Sequence, residues 1–273
     1  MFPRAEPGLR PGSRTDMTHA TIRLFADTLG KFTQCEVLLP DRPQPGRPVP
    51  ALYLLHGLSD DDTVWMRRTA IERYAGNRYL AVVMPDGDRS FYSDMIDGSR
   101  YFAYVTDELP RLMEATFPLS RERQGRFVAG LSMGGWGAFK AALNLPGRYA
   151  AAAGLSSVCD LGWVARTHPD LYASIFGGNY EPSPPNDLFA AASALARRPP
   201  AERPALFQYC GTEDFLYKDN VRLRDHFAAL HLAVKWEQGP GGHTWDNWDE
   251  RIRHVLDWLP ISENRFKTGS IGV

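Results

Sequence analysis

A serine between two glycines joins an apolar run to a stretch rich in small residues. The apolar run is RFVAGL (residues 126–131), residues 130–134 read GLSMG, and MGGWGAFKAALNL (residues 133–145) follows. A serine at a sharp strand-to-helix turn has strained backbone geometry, and glycines on either side leave out the side chains that would block the bend. The pattern therefore predicts a strand, a turn and a helix that expose the Ser132 hydroxyl beside the N–H group of Met133.

The pattern Gly-x-Ser-x-Gly in this context is typical of a nucleophilic serine. A serine hydroxyl is a weak nucleophile at neutral pH, so it needs a base, and the base needs an acid to orient it. Candidates for both partners follow Ser132 in the chain. The competing hypothesis is that Ser132 only caps the helix, since serine is a preferred N-cap residue.

Apolar strands alternate with helices along most of the chain. Residues 51–56, 79–85 and 149–155 are continuous apolar runs, which are typical of parallel strands covered on both faces. Residues 21–39 contain two alternating runs around a Gly-Lys turn, which predict an antiparallel pair at one sheet edge. Further strands are predicted at residues 205–210 and 233–238, and helices at residues 64–75, 101–117, 220–230 and 246–258. The alternation predicts an α/β fold with a mostly parallel central sheet between two layers of helices.

Residues 17–261 are predicted to form a single domain. Residues 159–198 interrupt the alternation with helical fragments and a proline-rich stretch, and we interpret them as a small cap insertion. Residues 1–16 are rich in Pro, Gly and Arg and lack an apolar segment, which predicts a disordered arm and not a signal peptide. The polar residues 262–273 are predicted to form a flexible tail.

Charge and cysteine content narrow the classes of partner. The 273 residues include 31 basic and 32 acidic ones, a formal charge of −1 with no long block of like charge. This argues against a nucleic-acid groove or an anionic membrane patch and favours a small neutral substrate. No apolar run approaches the length of a membrane span, and Cys35, Cys159 and Cys210 lack metal or redox spacing. We expect a cytoplasmic protein whose cysteines are buried and reduced. The protein is also expected to be able to form homo-oligomers.

His243 is the preferred candidate for the base. It ends the loop GPGGH (residues 239–243) between the last predicted strand and the last predicted helix, from which an imidazole can reach a site. The other histidines fall on helices, near the N-terminus, in the insertion or at a strand end, where a packing or solvated role is the simpler interpretation: His19, His56, His168, His226, His231 and His254.

Two adjacent carboxylates, Glu213 and Asp214, follow the predicted strand at residues 205–210 and are candidates for the acid. Only one of them can face the base. Asp214 is preferred because its shorter side chain is easier to hold rigidly, and because Phe215 next to it indicates a chain that turns back into the core. Glu213 and Asp160 remain alternatives, since the order of residues along the chain does not decide between them.

A second oxyanion donor is expected on the loop after residues 51–56. HGLS (residues 56–59) lies there, and we assign the N–H group of Leu58 to this role beside that of Met133. His56 is interpreted as a structural anchor of the loop. Three aromatic residues are candidates for lining the substrate pocket, although a core position is equally typical of the first: Trp65, Trp163 and Phe215.

Carboxylates at Asp86, Asp88 and Asp94 raise the question of a metal loop. Their spacing matches no metal-binding pattern, so we interpret them as turn formers and loop charges. The sequence therefore predicts no metal site, and the proposed chemistry needs no cofactor.

Five segments occur in a fixed order: HGLSDDDTVW (residues 56–65), MPDGDRSFYSD (84–94), AGLSMGGWGA (129–138), CGTEDFLY (210–217) and GGHTWDNW (241–248). Together they resemble the esterase D-like branch of the α/β-hydrolases, and within it the bacterial tributyrin-type short-chain esterases. The resemblance spans about residues 17–259 and implies the α/β-hydrolase fold. It also implies Ser132 as nucleophile, Asp214 as acid, His243 as base, and an oxyanion hole formed by the N–H groups of Leu58 and Met133.

The branch contains several kinds of acyl-transferring enzyme. Its S-formylglutathione hydrolases usually have a cysteine where this chain has Asp60, which argues against a thioesterase. Its mycolyltransferases are exported, whereas this chain has no predicted export signal. We expect a serine carboxylesterase acting on short-chain acyl esters. The alternatives are an S-formylglutathione hydrolase, a carbohydrate acetyl or feruloyl esterase, and a catalytically inert binding protein with the same fold.

Overall fold

The computed structural model describes residues 17–178 and 185–261, so the predicted arm and tail lie outside the described residues. The sheet consists of β1 (Met17–Ala26), β2 (Lys31–Pro40), β3 (Ala51–Leu55), β4 (Ala81–Pro85), β5 (Arg126–Leu131), β6 (Ala151–Leu155), β7 (Ala205–Gly211) and β8 (Val234–Gly239). Their spatial order is β1-β2-β4-β3-β5-β6-β7-β8. Strands β1 and β2 form the antiparallel edge, and the strands from β4 to β8 run parallel. Strand β5, which leads to Ser132, is therefore central.

Helices cover both faces of the sheet. They are α1 (Val64–Arg68), α2 (Ile71–Gly76), α3 (Tyr101–Ala103), α4 (Leu109–Thr116), α5 (Met133–Asn144), α6 (Leu161–Thr167), α7 (Pro169–Phe176), α8 (Leu188–Leu195), α9 (Tyr217–Ala229) and α10 (Trp245–Trp258). On β3, Tyr53 and Leu55 belong to a core shared with α5, α8 and α9. Leu52 and Leu54 belong to a second core shared with α1, α2 and α10. The predicted α/β fold, with a mostly parallel sheet buried on both faces, is confirmed.

The single helix predicted over residues 64–75 is wrong, because the chain breaks between α1 and α2. Thr69 at the break has an extended backbone. Its hydroxyl donates to the Trp65 carbonyl at 2.5 Å and accepts from the Ile71 N–H at 3.2 Å. The Ala70 N–H donates to Asp249 on α10 at 2.9 Å. These side-chain bonds replace the helical ones, as threonine allows, and the last of them depends on a residue far away in sequence.

The helix predicted over residues 101–117 forms despite Pro110, but with a π-helical turn (Tyr104–Glu108) between α3 and α4. Proline has no N–H group, so the Thr106 carbonyl loses its usual helical donor. The Arg148 guanidinium donates to that carbonyl instead, at 2.6 Å. A wide turn before the proline and an outside donor thus allow the helix to continue.

The segment between β6 and β7 contains α6, α7 and α8, in agreement with the predicted helical fragments. The last of these, α8, packs on α5 and contributes Ala192 and Leu195 to the core. It therefore packs within the helical layer on this face of the sheet. Asp187 caps α8 by accepting from the N–H groups of Phe189 and Ala190. Residues 179–184 of the predicted insertion lie outside the described residues.

Candidate active site

Ser132 lies at the turn between β5 and α5, at the carboxyl end of the parallel strands. Its φ is +53°, a value that non-glycine residues rarely adopt. The Ser132 N–H donates to the Leu155 carbonyl at 2.9 Å. A Cβ on Gly134 would lie 2.4 Å from the Leu55 carbonyl oxygen, and one on Gly130 would lie 2.4 Å from the backbone of Gly134. Close approach of α5 to β3 and β5 therefore requires both glycines and holds the serine in its strained conformation.

Three predicted residues form one hydrogen-bonded path. His243 Nε2 lies 3.0 Å from Ser132 Oγ, and His243 Nδ1 lies 2.9 Å from Asp214 Oδ2. The Asp214 side chain is buried, and its other oxygen accepts from the Leu216 N–H at 2.8 Å. An ionised carboxylate only accepts, so the neutral imidazole carries its proton on Nδ1 and presents the Nε2 lone pair to Ser132. This is the geometry that a serine nucleophile and its base require.

Backbone hydrogen bonds join the loop after β7 to the loop after β8. The Glu213 N–H donates to the Gly241 carbonyl at 3.2 Å. Gly241 has a φ of +126°, and a Cβ on Gly211 would lie 2.0 Å from its carbonyl oxygen. Asn247 on α10 donates to the Gly242 carbonyl at 3.1 Å. The two loops that carry Asp214 and His243 are thus held together through their main chains.

The alternative acids do not reach His243. The Glu213 carboxylate is exposed and accepts from the Gly241 N–H and the Thr212 hydroxyl, and these hydrogen bonds lower its pKa. Asp160 caps α6 by accepting from the Gly162 N–H at 2.7 Å, and it forms an ion pair with Arg222 at 3.0 Å. Glu213 and Asp160 therefore bond elsewhere, and of the three candidate acids it is Asp214 that lies against His243.

Among the described residues, His243 is the histidine that hydrogen-bonds Ser132. The other imidazoles bond elsewhere: His19 to Glu36, His56 to Gly57 and Gly87, His168 to Thr167, His226 to Phe189 and His254 to Glu237. His231 follows α9 with a φ of +54°. These positions agree with the structural roles expected for them.

His56 orients the peptide between Gly57 and Leu58. The Gly87 N–H donates to His56 Nε2 at 2.8 Å, so the His56 proton lies on Nδ1, which donates to the Gly57 carbonyl at 2.7 Å. A trans peptide points its C=O and N–H in opposite directions, so the Leu58 N–H is turned away from His56. A Cβ on Gly57 would lie 3.8 Å from the Ser132 Cβ, which places this loop beside the serine.

The second predicted donor, the Met133 N–H, lies at the first residue of α5. Neither this group nor the Leu58 N–H donates to a backbone carbonyl in the described part of the chain. The N-terminus of α5 adds the positive end of a helix dipole. Unpaired N–H groups beside a serine are the arrangement that stabilises a developing oxyanion.

The three pocket candidates have different positions. Trp65 is fully buried in the second core, and its indole N–H donates to the Leu55 carbonyl at 3.2 Å. The expectation that Trp65 lines a pocket is therefore wrong, and its core interpretation is right. Trp163 on α6 stacks on Phe215 with ring centroids 5.5 Å apart, and Phe215 lies 4.5 Å from the His243 ring. Phe215 is 61% exposed, so these two rings form an open aromatic surface beside the candidate base.

Sequence reasoning missed two residues that hold His243 and its loop in place. Trp248 packs edge-on against the His243 ring at 4.8 Å, and its indole N–H donates to the Ser156 hydroxyl at 3.1 Å. Asn247 bonds to Gly242 and also accepts from the buried Tyr209 hydroxyl at 2.6 Å. Both lie in the segment GGHTWDNW, four and five residues after the histidine. Polar and aromatic residues one helical turn beyond a loop histidine were the available signal.

The carboxylates of the suspected metal loop have local partners. Asp86 accepts from the Asp88 N–H, Asp88 pairs with Lys31 at 3.5 Å, and Asp94 accepts from the Ala103 N–H. In the described ranges no group of three or more His, Cys, Asp or Glu side chains is arranged to hold a metal ion. Cys35, Cys159 and Cys210 are buried and unpaired, as expected. No helix of these ranges is both long and apolar enough to cross a membrane.

Fold and site together define the class of protein. A mostly parallel sheet with a serine at the turn after a central strand, and with an aspartate and a histidine on the loops after the last two strands, is the arrangement of the α/β-hydrolases. The fluorophosphonate-binding serine hydrolase F of Staphylococcus aureus has a TM-score of 0.83 and 32% identity, over 89% of this chain and 98% of that one. An S-formylglutathione hydrolase of the same organism has a TM-score of 0.78 and 31% identity, with the same coverage.

Residues 26–259 match the model of the family described as putative esterase, and the chain belongs to this family. It is also similar to the acetyl esterase of Caldicellulosiruptor saccharolyticus, with 28% identity over 87% of this chain and 96% of that protein. The protein is a carboxylic ester hydrolase of the serine type.

Proposed function

We propose that the protein is a carboxylesterase that hydrolyses short-chain acyl esters, with Ser132 as nucleophile, His243 as base and Asp214 as the acid that orients the base. The observation that carries this proposal is the continuous path from Ser132 Oγ through both nitrogens of His243 to the buried Asp214 carboxylate, with spacings of 3.0 and 2.9 Å. The likeness of nearly the whole chain to an acetyl esterase supports a short acyl group. The resemblance of the five sequence segments to tributyrin-type short-chain esterases adds the same expectation.

The reaction follows from this geometry in two steps. His243 Nε2 takes the proton of the Ser132 hydroxyl as Oγ attacks the ester carbonyl carbon, and the N–H groups of Leu58 and Met133 stabilise the oxyanion. His243 then gives the proton to the departing alcohol. In the second step water loses a proton to His243 and attacks the acyl-enzyme, which releases the acid and regenerates Ser132. Asp214 holds the imidazole tautomer throughout and stabilises the imidazolium.

Phe215 and Trp163 are proposed to border the leaving group. The proton from His243 must reach the departing oxygen, so the alcohol portion lies within hydrogen-bond reach of Nε2. The Phe215 ring lies against that imidazole and is backed by Trp163. An exposed pair of stacked rings at this position offers a flat apolar surface to the alcohol.

A thioesterase acting on S-formylglutathione is the second candidate function. Similarity to the S-formylglutathione hydrolase of Staphylococcus aureus favours it. Asp60, at the position where such enzymes usually have a cysteine, accepts from the Gly57 N–H at 3.2 Å, and burial raises its pKa. The absence of that cysteine supports the ester over the thioester. The carbohydrate acetyl and feruloyl esterases remain further alternatives, and the predicted cytoplasmic location and self-association stay predictions.

The test compares p-nitrophenyl esters from acetate to decanoate with S-formylglutathione, using wild type, Ser132→Ala and the control Ser174→Ala on the exposed side of α7. We expect turnover that falls with acyl length and drops by about three orders of magnitude or more in Ser132→Ala only. If S-formylglutathione were hydrolysed faster than every ester, the function would instead be that of an S-formylglutathione hydrolase. Near-normal turnover by Ser132→Ala would overturn the proposal, and labelling by a fluorophosphonate would locate the true nucleophile.

A further inference from the structure

Lys140 is a buried lysine that the proposed mechanism does not use. It lies on α5, two turns beyond Ser132, and is 1% exposed. Its Nζ donates to the Tyr92 carbonyl at 3.2 Å and to the Ser93 hydroxyl at 2.8 Å, and lies 4.5 Å from the centre of the Phe102 ring. In the described ranges no carboxylate lies within 4.0 Å of it. Burying an amine with no carboxylate in ion-pair contact is costly, and both of the hydrogen bonds that the Lys140 amine donates go to one loop.

The loop that Lys140 holds is strained. Asp88, Phe91 and Tyr92 have φ values of +49°, +50° and +44°, although none of them is glycine. Each such residue costs of the order of 1–3 kcal/mol and persists only where its surroundings hold it in place. Phe91 and Tyr92 are buried, and the Ser93 hydroxyl that accepts from Lys140 itself donates to the Phe91 carbonyl at 3.0 Å. The amine therefore bonds to Tyr92, the last residue of the strained turn, and to Ser93, which follows it.

Tyr92 connects this turn to the loop beside Ser132. Its hydroxyl donates to the His56 carbonyl at 3.1 Å. Its ring fits between two glycines, since a Cβ on Gly87 or on Gly137 would lie 2.3 or 2.6 Å from ring carbons. His56 in turn donates to the Gly57 carbonyl and so orients the peptide that carries the Leu58 N–H. A single chain of contacts thus leads from Lys140 through Tyr92 and His56 to one of the two oxyanion donors.

We propose that Lys140 is a positioning residue for the oxyanion hole, which it serves by holding the strained turn at residues 88–92 so that Tyr92 and His56 keep the Leu58 N–H directed at the reacting carbonyl. The other donor, the Met133 N–H, lies on the same helix as Lys140. Helix α5 therefore positions both donors, one directly and one through the turn. This inference rests on the proposed function, because it assigns a purpose to the Leu58 N–H.

The test uses Lys140→Met, which keeps the length of the side chain but removes its donors, and Tyr92→Phe, which removes only the hydroxyl. The double variant and the control Lys218→Met, an exposed lysine on α9, complete the set. Active sites are counted by fluorophosphonate labelling, so that misfolded molecules do not contribute. The readouts are kcat and KM for p-nitrophenyl acetate and the inhibition constant of a boronic acid, which mimics the tetrahedral intermediate.

We expect kcat per labelled site to fall about 10- to 100-fold in each single variant, less than the 10²–10³ for outright loss of an oxyanion donor. KM should change less than about threefold, and boronic acid binding should weaken by the same factor as kcat, because the Leu58 N–H acts mainly on the tetrahedral state. The double variant should be no worse than the poorer single one. Wild-type kcat per site in either single variant, or effects that multiply in the double variant, would overturn the inference.

Two further arms keep the result unambiguous. If Lys140→Met does not fold, Tyr92→Phe decides. Wild-type kcat per site in Tyr92→Phe would show that the hydrogen bond from Tyr92 to His56 does not position the oxyanion donor. Ser132→Ala is measured beside them. Retained turnover in Ser132→Ala would overturn the proposed function itself, whereas Ser132-dependent turnover with an unchanged Lys140→Met would overturn only the role of Lys140.

Discussion

The turn that carries Ser132 and the loops that carry Asp214 and His243 meet within hydrogen-bond distance, but different forces hold them. At the turn, glycine contacts with the backbone of β3 and β5 leave no space for an alternative path. At the loops after β7 and β8, hydrogen bonds between main chains and from Asn247 act together with one close approach, that of Gly211 to the Gly241 carbonyl oxygen. Phe215, 61% exposed, belongs to the loop after β7, whereas Leu131 and Met133 on either side of Ser132 are buried.

Because the two regions are held differently, substitutions in them should affect stability and activity differently. A change at the turn must disturb packing between helix and sheet, so folding and activity should fail together. A change in the hydrogen bonds of the acid and base loops should reduce activity in a molecule that still folds. The following substitutions test this distinction.

The largest effect is expected for Asp214→Asn. The amide leaves the shape of the site intact but favours the wrong His243 tautomer, so kcat should fall about 10³- to 10⁴-fold while the melting temperature changes little. Glu213→Gln is the matched control, because an amide oxygen can still accept from the Gly241 N–H, and its kcat should stay within about fivefold of wild type. The measurement is kcat on p-nitrophenyl acetate together with a thermal melt. A larger loss in Glu213→Gln than in Asp214→Asn would reverse the assignment of the acid.

Gly134→Ala should cost about 3 kcal/mol of unfolding free energy, because the new methyl would lie 2.4 and 2.6 Å from the Leu55 and His56 carbonyl oxygens and the backbone would have to move. The control is Gly147→Ala, where a Cβ meets nothing within 4 Å, and its effect should stay within about 0.5 kcal/mol. Urea denaturation measures both. Similar stability of the two variants would show that packing does not hold the turn.

Lys140 makes the helix behind the turn sensitive to pH. Burial lowers the pKa of its amine from 10.5 to about 7, and the Asp94 carboxylate opposes this shift. Between these two pH values the unfolded chain binds one more proton than the folded chain, so stability rises with pH. The cost of the buried charge is complete below pH 7 and absent above 10.5.

We therefore expect the unfolding free energy of wild type to rise by roughly 2 kcal/mol relative to Lys140→Met between pH 7 and pH 9. Buried tyrosines and cysteines also titrate on unfolding, but they are common to both proteins and cancel in the difference. Urea denaturation of the two proteins at each pH provides the measurement. A difference that stays constant with pH, or that falls, would contradict the depressed pKa.

The smallest effect is expected at the aromatic surface of the acid loop. Benzyl acetate and cyclohexylmethyl acetate have the same acyl group and leaving groups of similar size, but only the first has a flat ring. An aromatic contact contributes about 0.5–1.5 kcal/mol, so Phe215→Leu should reduce the wild-type preference for benzyl acetate in kcat/KM by roughly 2- to 12-fold. The control is Phe32→Leu on β2, which is 77% exposed and distant in the sheet order. An equal preference for benzyl acetate in wild type and Phe215→Leu would show that the Phe215 ring does not contact the leaving group.

Features that depend on neighbouring residues could be predicted from the sequence. The strand, turn and helix around Ser132 follow from glycines whose freedom is a local property of the backbone, and the antiparallel pair of β1 and β2 follows from one turn. Continuous apolar runs predicted the parallel strands because burial on both faces leaves no polar side. The order of serine, acid and histidine along the chain was equally readable, although the residues alone left Glu213 and Asp160 open beside Asp214.

Contacts between distant residues were decided by the tertiary structure. Hydrogen bonds from Ala70 to Asp249 and from Arg148 to Thr106 shaped helices that local propensity describes differently. Trp65 and Trp163 are equally plausible as pocket residues in the sequence, but folding buried one behind β3 and brought the other to Phe215.

The sequence by itself determined the class of fold and the strand, turn and helix around Ser132, because glycine freedom and apolar periodicity act over a few residues. Only the tertiary structure decided which carboxylate lies against His243, which tryptophan faces the site, and that Lys140 bonds to the strained turn 48 residues away. Those outcomes depend on how the helices pack across the sheet. The physical reason is that a hydrogen bond or a ring contact requires the arrangement of two separate elements, which no local pattern encodes.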